Sequence, residues 1–119
     1  MAFDAETSQS NGYPVLALSG EVDLTVKTDL LRALDLLETQ GDRLIVDLSD
    51  VTYIDSSALG MLIALAARLG DRGASLAIIS GREGLRRIFQ TRGLVDLLGF
   101  AGSLDEATAH LDSARPGSS

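Results

Sequence analysis

Two serine hydroxyls directly follow a carboxylate in Asp55-Ser56-Ser57-Ala58-Leu59-Gly60. Such a trio could cap a helix, supply a nucleophile beside a base, or take a phosphoryl group on a hydroxyl. Its setting narrows the choice. The apolar run Leu44–Leu48 and a short polar link precede it, and Met61–Ala67 follow it. The trio therefore falls where a buried strand turns into a helix. A helix N-terminus has unpaired N–H groups and a partial positive charge, which favour a carboxylate cap or a phosphate carried by a serine.

Catalysis fits these serines poorly. The one histidine, His110, falls near the end of the last helical pattern and reads as a surface residue. The Gly-x-Ser-x-Gly elbow is absent, as are both common glycine-rich phosphate loops, so an enzyme is not expected. A phosphoacceptor aspartate is a second possibility, with Asp47, Asp50 and Asp55 as candidates. Receiver domains of that kind also need an acid pair after the first strand and a late lysine, whereas the single lysine here is Lys27. The same three aspartates could be read as hard oxygen ligands for a metal. The simpler expectation is a turn at Asp50, a helix cap at Asp55 and no metal. Local chemistry leaves a plain N-cap and a phosphorylation switch equally open, since Ser and Asp are both common caps.

Length and composition set the frame. The 119 residues suffice for one core, and the absence of cysteine excludes disulfides and thiolate sites. A net charge of −7 argues against nucleic acid as a partner. Arg82, Arg86, Arg87 and Arg92 form the one basic cluster and read as a solvated helix face. The start of the chain is acidic and lacks signal-peptide features. The apolar run from Ala58 to Ala67 falls well short of the ~20 residues that span a bilayer. A cytoplasmic protein with no membrane association is expected.

The elements that must position the serines follow from pattern. Phe3–Ser8 and Tyr13–Leu18 flank Asn11-Gly12, a hairpin signal. Gly20-Glu21-Val22-Asp23 is a polar break, and Thr25 is the expected N-cap of a helix bearing Val26, Leu30, Leu31, Leu34 and Leu37, stopped by Gly41. Leu44–Leu48 reads as a strand buried on both faces. The next helix runs from Ser56 to about Leu69, and Leu76–Ile79 is another buried strand. A helix with Leu85, Ile88 and Phe89 follows, then a short edge strand within Leu94–Phe100. Ser103-Leu104-Asp105-Glu106 is a capping box opening a last helix through Leu111. This order predicts an α/β fold, with a mixed four- to five-stranded sheet covered by about four helices. Residues 1–112 are expected to form the domain and 113–119 a flexible tail. The Gly20–Asp23 and Asp50–Ser57 loops should share the carboxyl ends of the strands, where partners tend to meet such sheets.

Gly20-Glu21-Val22-Asp23, together with Val46 through Gly60, resembles the STAS domain of bacterial anti-sigma factor antagonists, and the similarity extends from about Phe3 to Leu111. The resemblance implies a non-enzymatic switch in which Ser56 is phosphorylated, with Asp55 and Ser57 in support. It implies a partner surface of Gly20, Glu21, Asp23, Thr25, Ser56, Ser57, Leu59 and Gly60. The implied partners are an anti-sigma factor that is itself a serine kinase and binds the ATP, and a serine phosphatase that resets the switch. No cofactor of its own is implied. The family's role places it in transcription regulation and stress response. Ala58 stands where the family usually has glycine, and Lys27 and Asp29 make the start of the first helix more polar than in many relatives. The alternative is a STAS module serving as a scaffold or small-ligand binder, with serines that only cap.

Overall fold

The computed structural model describes residues 2–80, 87 and 98–113. Strands β1 (Asp4–Ser10) and β2 (Tyr13–Val22) form an antiparallel hairpin. Its turn places Asn11 at φ 52° and Gly12 at φ 84°, the two left-handed residues that a tight hairpin turn requires. A short 3-10 turn (Leu24–Val26) leads into α1 (Lys27–Glu38), then β3 (Arg43–Ile54), α2 (Ser56–Asp71) and β4 (Ser75–Ile79). Beyond these come β5 (Leu98–Ala101) and α3 (Leu104–Ser113). The strands lie in the order β1-β2-β3-β4-β5, with only the first pair antiparallel.

The continuous apolar strands are explained by burial on both faces. Leu16, Leu18, Val22, Leu44, Val46, Leu76 and Ile78 join the helices α1 and α2 in one cluster. Tyr13, Val15, Ile45, Ala77, Ile79 and Ala101 meet Ala107 and Leu111 of α3 in another. Because the strands from β2 to β4 are added in one direction, crossovers of the usual hand put α1 and α2 on one face. Helix α2 is seated by Ala58, Leu59, Leu62, Leu65, Ala66 and Leu69, all buried, with Ile63 only partly so. Glu38 at the end of α1 pairs with Arg68 of α2 (3.1 Å) and with Arg72 just beyond it (3.0 Å), tying the two helices at the end away from the serines.

Several expectations are corrected. Strand β3 runs on to Ile54, not to Leu48, so Asp50 lies within a strand opposite Ser19 and makes no turn. Thr25 is not the cap of α1. The helix begins at Lys27 after Val26, which makes no side-chain cap, and Asp23 caps the preceding 3-10 turn. Leu31, expected among the apolar positions of α1, is 45% exposed. Helix α3 continues past Leu111 to Ser113. The expected edge strand is β5, reaching Ala101. The expected helix around Leu85, Ile88 and Phe89, the residues Arg82, Arg86 and Arg92, and positions 114–119 lie outside the described residues. Arg87, described by itself, is helical and exposed. Among the described residues, no helix is long and apolar enough to cross a membrane.

Candidate functional site

The site is built at the carboxyl ends of β2 and β3. These parallel strands bring Glu21 opposite Tyr53 and Val22 opposite Ile54. Register shifts fall between Ala17 and Ser19 and between Gly20 and Glu21. Gly20 adopts φ 78°, a conformation that side-chain-bearing residues avoid and that suits a bulge. On β3 the Asp47 carboxylate accepts hydrogen bonds from the Ser49 N–H (2.9 Å) and hydroxyl (2.6 Å), at the point where the register with β2 first shifts. The bulges let a polar run continue as strand at the rim of the sheet.

Asp55 joins the two strand ends. Its N–H donates to the Val22 carbonyl at 3.0 Å. Its backbone is extended and its Oδ1 accepts the Ala58 N–H at 2.9 Å, the geometry of an N-cap. Its Oδ2 accepts the Leu24 N–H at 2.9 Å, across thirty-one positions of sequence. Within the turn, Asp23 Oδ1 accepts the Thr25 N–H at 3.0 Å and the Thr25 hydroxyl at 2.5 Å. Both loops are thus held by carboxylates accepting backbone donors, and the serine hydroxyls are not needed as caps.

Ser56 and Ser57 open the first turn of α2, both exposed. Glu21, Thr25 and Gly60 are also exposed, and Asp23 is half-buried. Space is open where a Gly60 side chain would begin, with no atom within 4 Å. Two residues expected on the partner surface belong inside instead. Leu59 is only 8% exposed and packs in the core, and Gly20 is buried in the strand. A side chain at the fourth position of α2 points back toward the sheet when its neighbours Leu62 and Ala66 do, so periodicity dictates the burial of Leu59. Two large apolar side chains share this end and were not singled out from sequence. Leu24 is 60% exposed in the 3-10 turn and Tyr53 is 52% exposed near the end of β3. Their signal was an apolar residue amid polar neighbours, which composition alone reads as a loop. Among the described residues, Asp47, Asp50 and Asp55 do not gather into a group that could hold a metal ion.

An antiparallel hairpin feeding a parallel run, with the serine-bearing helix start beside the β2–α1 turn, is the architecture of a STAS domain. The chain belongs to that family: the family described as "Mlab, STAS domain" matches residues 5–99. It is 30% identical over 98 residues to the anti-sigma-B factor antagonist of Bacillus subtilis (strain 168), covering 82% of this chain and 90% of that protein. Its fold is that of an anti-sigma factor antagonist from Mycobacterium paratuberculosis, at TM-score 0.79 and 23% identity, over 93% of this chain and 95% of the other. The Bacillus cell fate determinant SpoIIAA in its phosphorylated form shares the fold at TM-score 0.69 and 20% identity, over 92% of this chain and 99% of that one.

Proposed function

We propose that this protein is an anti-sigma factor antagonist working as a phosphorylation switch in the cytoplasm, with residues 1–112 as the working module. Unmodified, it binds a serine-kinase anti-sigma factor and so frees a sigma factor for transcription. Phosphorylation of Ser56 by that partner, which brings the ATP, ends binding, and a serine phosphatase restores it. The observation that carries this reading is the division of labour at the start of α2. Asp55 does the capping, while Ser56 stands exposed beside the Asp23 turn. The anti-sigma-B factor antagonist among its relatives supports the class of role.

The energetics follow from charge. A phosphoserine adds ~1.5–2 negative charges at neutral pH. Next to Glu21, Asp23 and Asp55, a docked partner would have to desolvate that charge among like charges. The domain itself tolerates it. At the α2 N-terminus each negative charge gains ~0.3–1 kcal/mol. Each large side chain seating the helix contributes ~1.5–3 kcal/mol, so the fold is expected to stay as it is. Amide shifts on phosphorylation should therefore cluster at Ile54–Gly60 and the Glu21–Thr25 loop.

The test is incubation with the cognate kinase and ATP, followed by fragmentation of the phosphopeptide. Phosphate should map to Ser56 and not to Ser57, and Ser56→Ala should keep its grip on the kinase when ATP is present. Asp23→Lys should weaken kinase binding and phosphorylation while costing no more stability than the ~1 kcal/mol of its lost cap. Phosphate mainly on Ser57 would overturn the assignment to Ser56, and no phosphate at all, or binding indifferent to phosphorylation, would favour the scaffold alternative.

A further inference from the structure

We propose that Asp55 is the positioning residue of this surface: its carboxylate sets the Leu24 turn against the first turn of α2, so that one side chain fixes both halves of the partner's footprint. This rests on the reading of Ser56 and the β2–α1 turn as one recognition surface. The other hydrogen bonds of the turn are internal to it: Val26 N–H to the Asp23 carbonyl at 3.1 Å, Thr25 N–H to Asp23 Oδ1 at 3.0 Å, and Lys27 N–H to the Leu24 carbonyl. The backbone bond from the Asp55 N–H to the Val22 carbonyl (3.0 Å) joins the strand end just before the turn. Among the described residues, the Leu24 N–H to Asp55 Oδ2 bond is the one by which a side chain ties the turn itself to the start of α2. The same carboxylate holds Ala58 with its other oxygen. A two-oxygen acceptor is therefore required, since one oxygen suffices for a cap but not for a cap and a bridge. The exposed Leu24 side chain and the Asp23 cap are carried on the bridged turn, at a position relative to Ser56 that the carboxylate sets.

Asparagine separates the two roles. It is nearly as good an N-cap as aspartate, but its second head atom is an NH2 donor that cannot accept from Leu24. In Asp55→Asn the Leu24 amide proton should move upfield and exchange with water about tenfold faster, the factor that one modest hydrogen bond to a charged group carries. The Ala58 amide should keep its protection, and Asp55→Ala should release both. Phosphorylation of Asp55→Asn at limiting kinase should fall by about the same factor, although Ser56 is untouched. Leu24→Pro gives a second route, because proline is tolerated in the first turn after a cap and removes the donor along with the leucine side chain. It should reproduce the loss, beyond any effect of Leu24→Ala, which keeps the N–H.

Unchanged Leu24 exchange in Asp55→Asn overturns the proposal. So does wild-type phosphorylation of that variant once Leu24 has been released. Should Asp55→Asn lose the Ala58 cap as well, the Leu24→Pro and Leu24→Ala pair decides, and equal phosphorylation of those two overturns the proposal. Failure of the underlying switch looks different: the wild type itself would be neither bound nor phosphorylated, while the exchange data would still report the bridge.

Discussion

Helices α2 and α3 both begin with a side-chain cap, and they use it differently. At α3, the Ser103 hydroxyl accepts the Glu106 N–H at 3.2 Å and Glu106 Oε2 accepts the Gly102 N–H at 2.7 Å. Every partner lies within one turn, so this cap organises only its own helix. At α2, Asp55 caps with one oxygen and reaches a different loop with the other. Two serine hydroxyls are left exposed beside it. The contrast separates a helix start that only stabilises from one that also assembles a surface. Chemistry on a hydroxyl is compatible with the second arrangement, since modifying Ser56 removes no cap.

The largest expected effect tests whether α2 is rigid enough to serve as a platform. Leu62 is fully buried in its core-facing stripe. Leu62→Ala should lower unfolding free energy by about 2–5 kcal/mol in denaturant titrations. A loss below about 1 kcal/mol would mean that α2 is loosely seated and the comparison with α3 rests on the wrong premise.

Next comes a matched pair of acidic substitutions. Ser56→Asp should weaken kinase binding by about 5–150-fold, an ordinary coupling of ~1–3 kcal/mol. Ser103→Asp keeps a good cap at α3 and should leave that affinity unchanged. Comparable losses in the two variants would show that charge anywhere on the domain, and not the α2 surface, governs binding.

Removing the caps should cost stability at both helices but function at only one. Ser103→Ala should cost ~1 kcal/mol in thermal or chemical unfolding, and Asp55→Ala somewhat more, because it also releases the Leu24 N–H. Only the second should also reduce partner affinity. The smallest effect belongs to the far end of the helix pair, where Glu38→Gln breaks its pairs with Arg68 and Arg72. Those arginine side chains are about half exposed, so a loss of ~0–1 kcal/mol, shrinking with added salt, is expected. Kinase binding should not change.

How far the fold could be read from the sequence follows the same divide between local and distant causes. Asn11-Gly12 announced its hairpin because few residues accept two consecutive left-handed conformations. Asp55 announced a cap, and Ser103 with Glu106 announced another, because the partners are close in sequence. Leu44–Leu48 and Leu76–Ile79 were legible as strands from doubly buried apolar runs. The extension of β3 through Ser49, Asp50 and Thr52 was not, since polar residues at a bulged rim look like a turn until the neighbouring strand is in place. The start of α1 was not legible: Thr25 read as its cap, but a 3-10 turn capped by Asp23 intervenes and α1 opens after Val26 without a side-chain cap. The Leu24–Asp55 bond had no signal at all. It depends on β2 and β3 ending side by side, and no spacing within either segment encodes it.

The central claim is that one phosphate on Ser56 turns a binding surface into a non-binding one while the fold stays as it is. The most direct measurement is the affinity of the cognate serine-kinase anti-sigma factor for this protein, before and after stoichiometric phosphorylation, at one salt concentration. The account predicts a loss of about 5–150-fold, with the phosphate mapped to Ser56 and an unchanged amide spectrum outside the α2 start and the Glu21–Thr25 loop. Equal affinity for the two forms, with Ser56 fully modified, would contradict it.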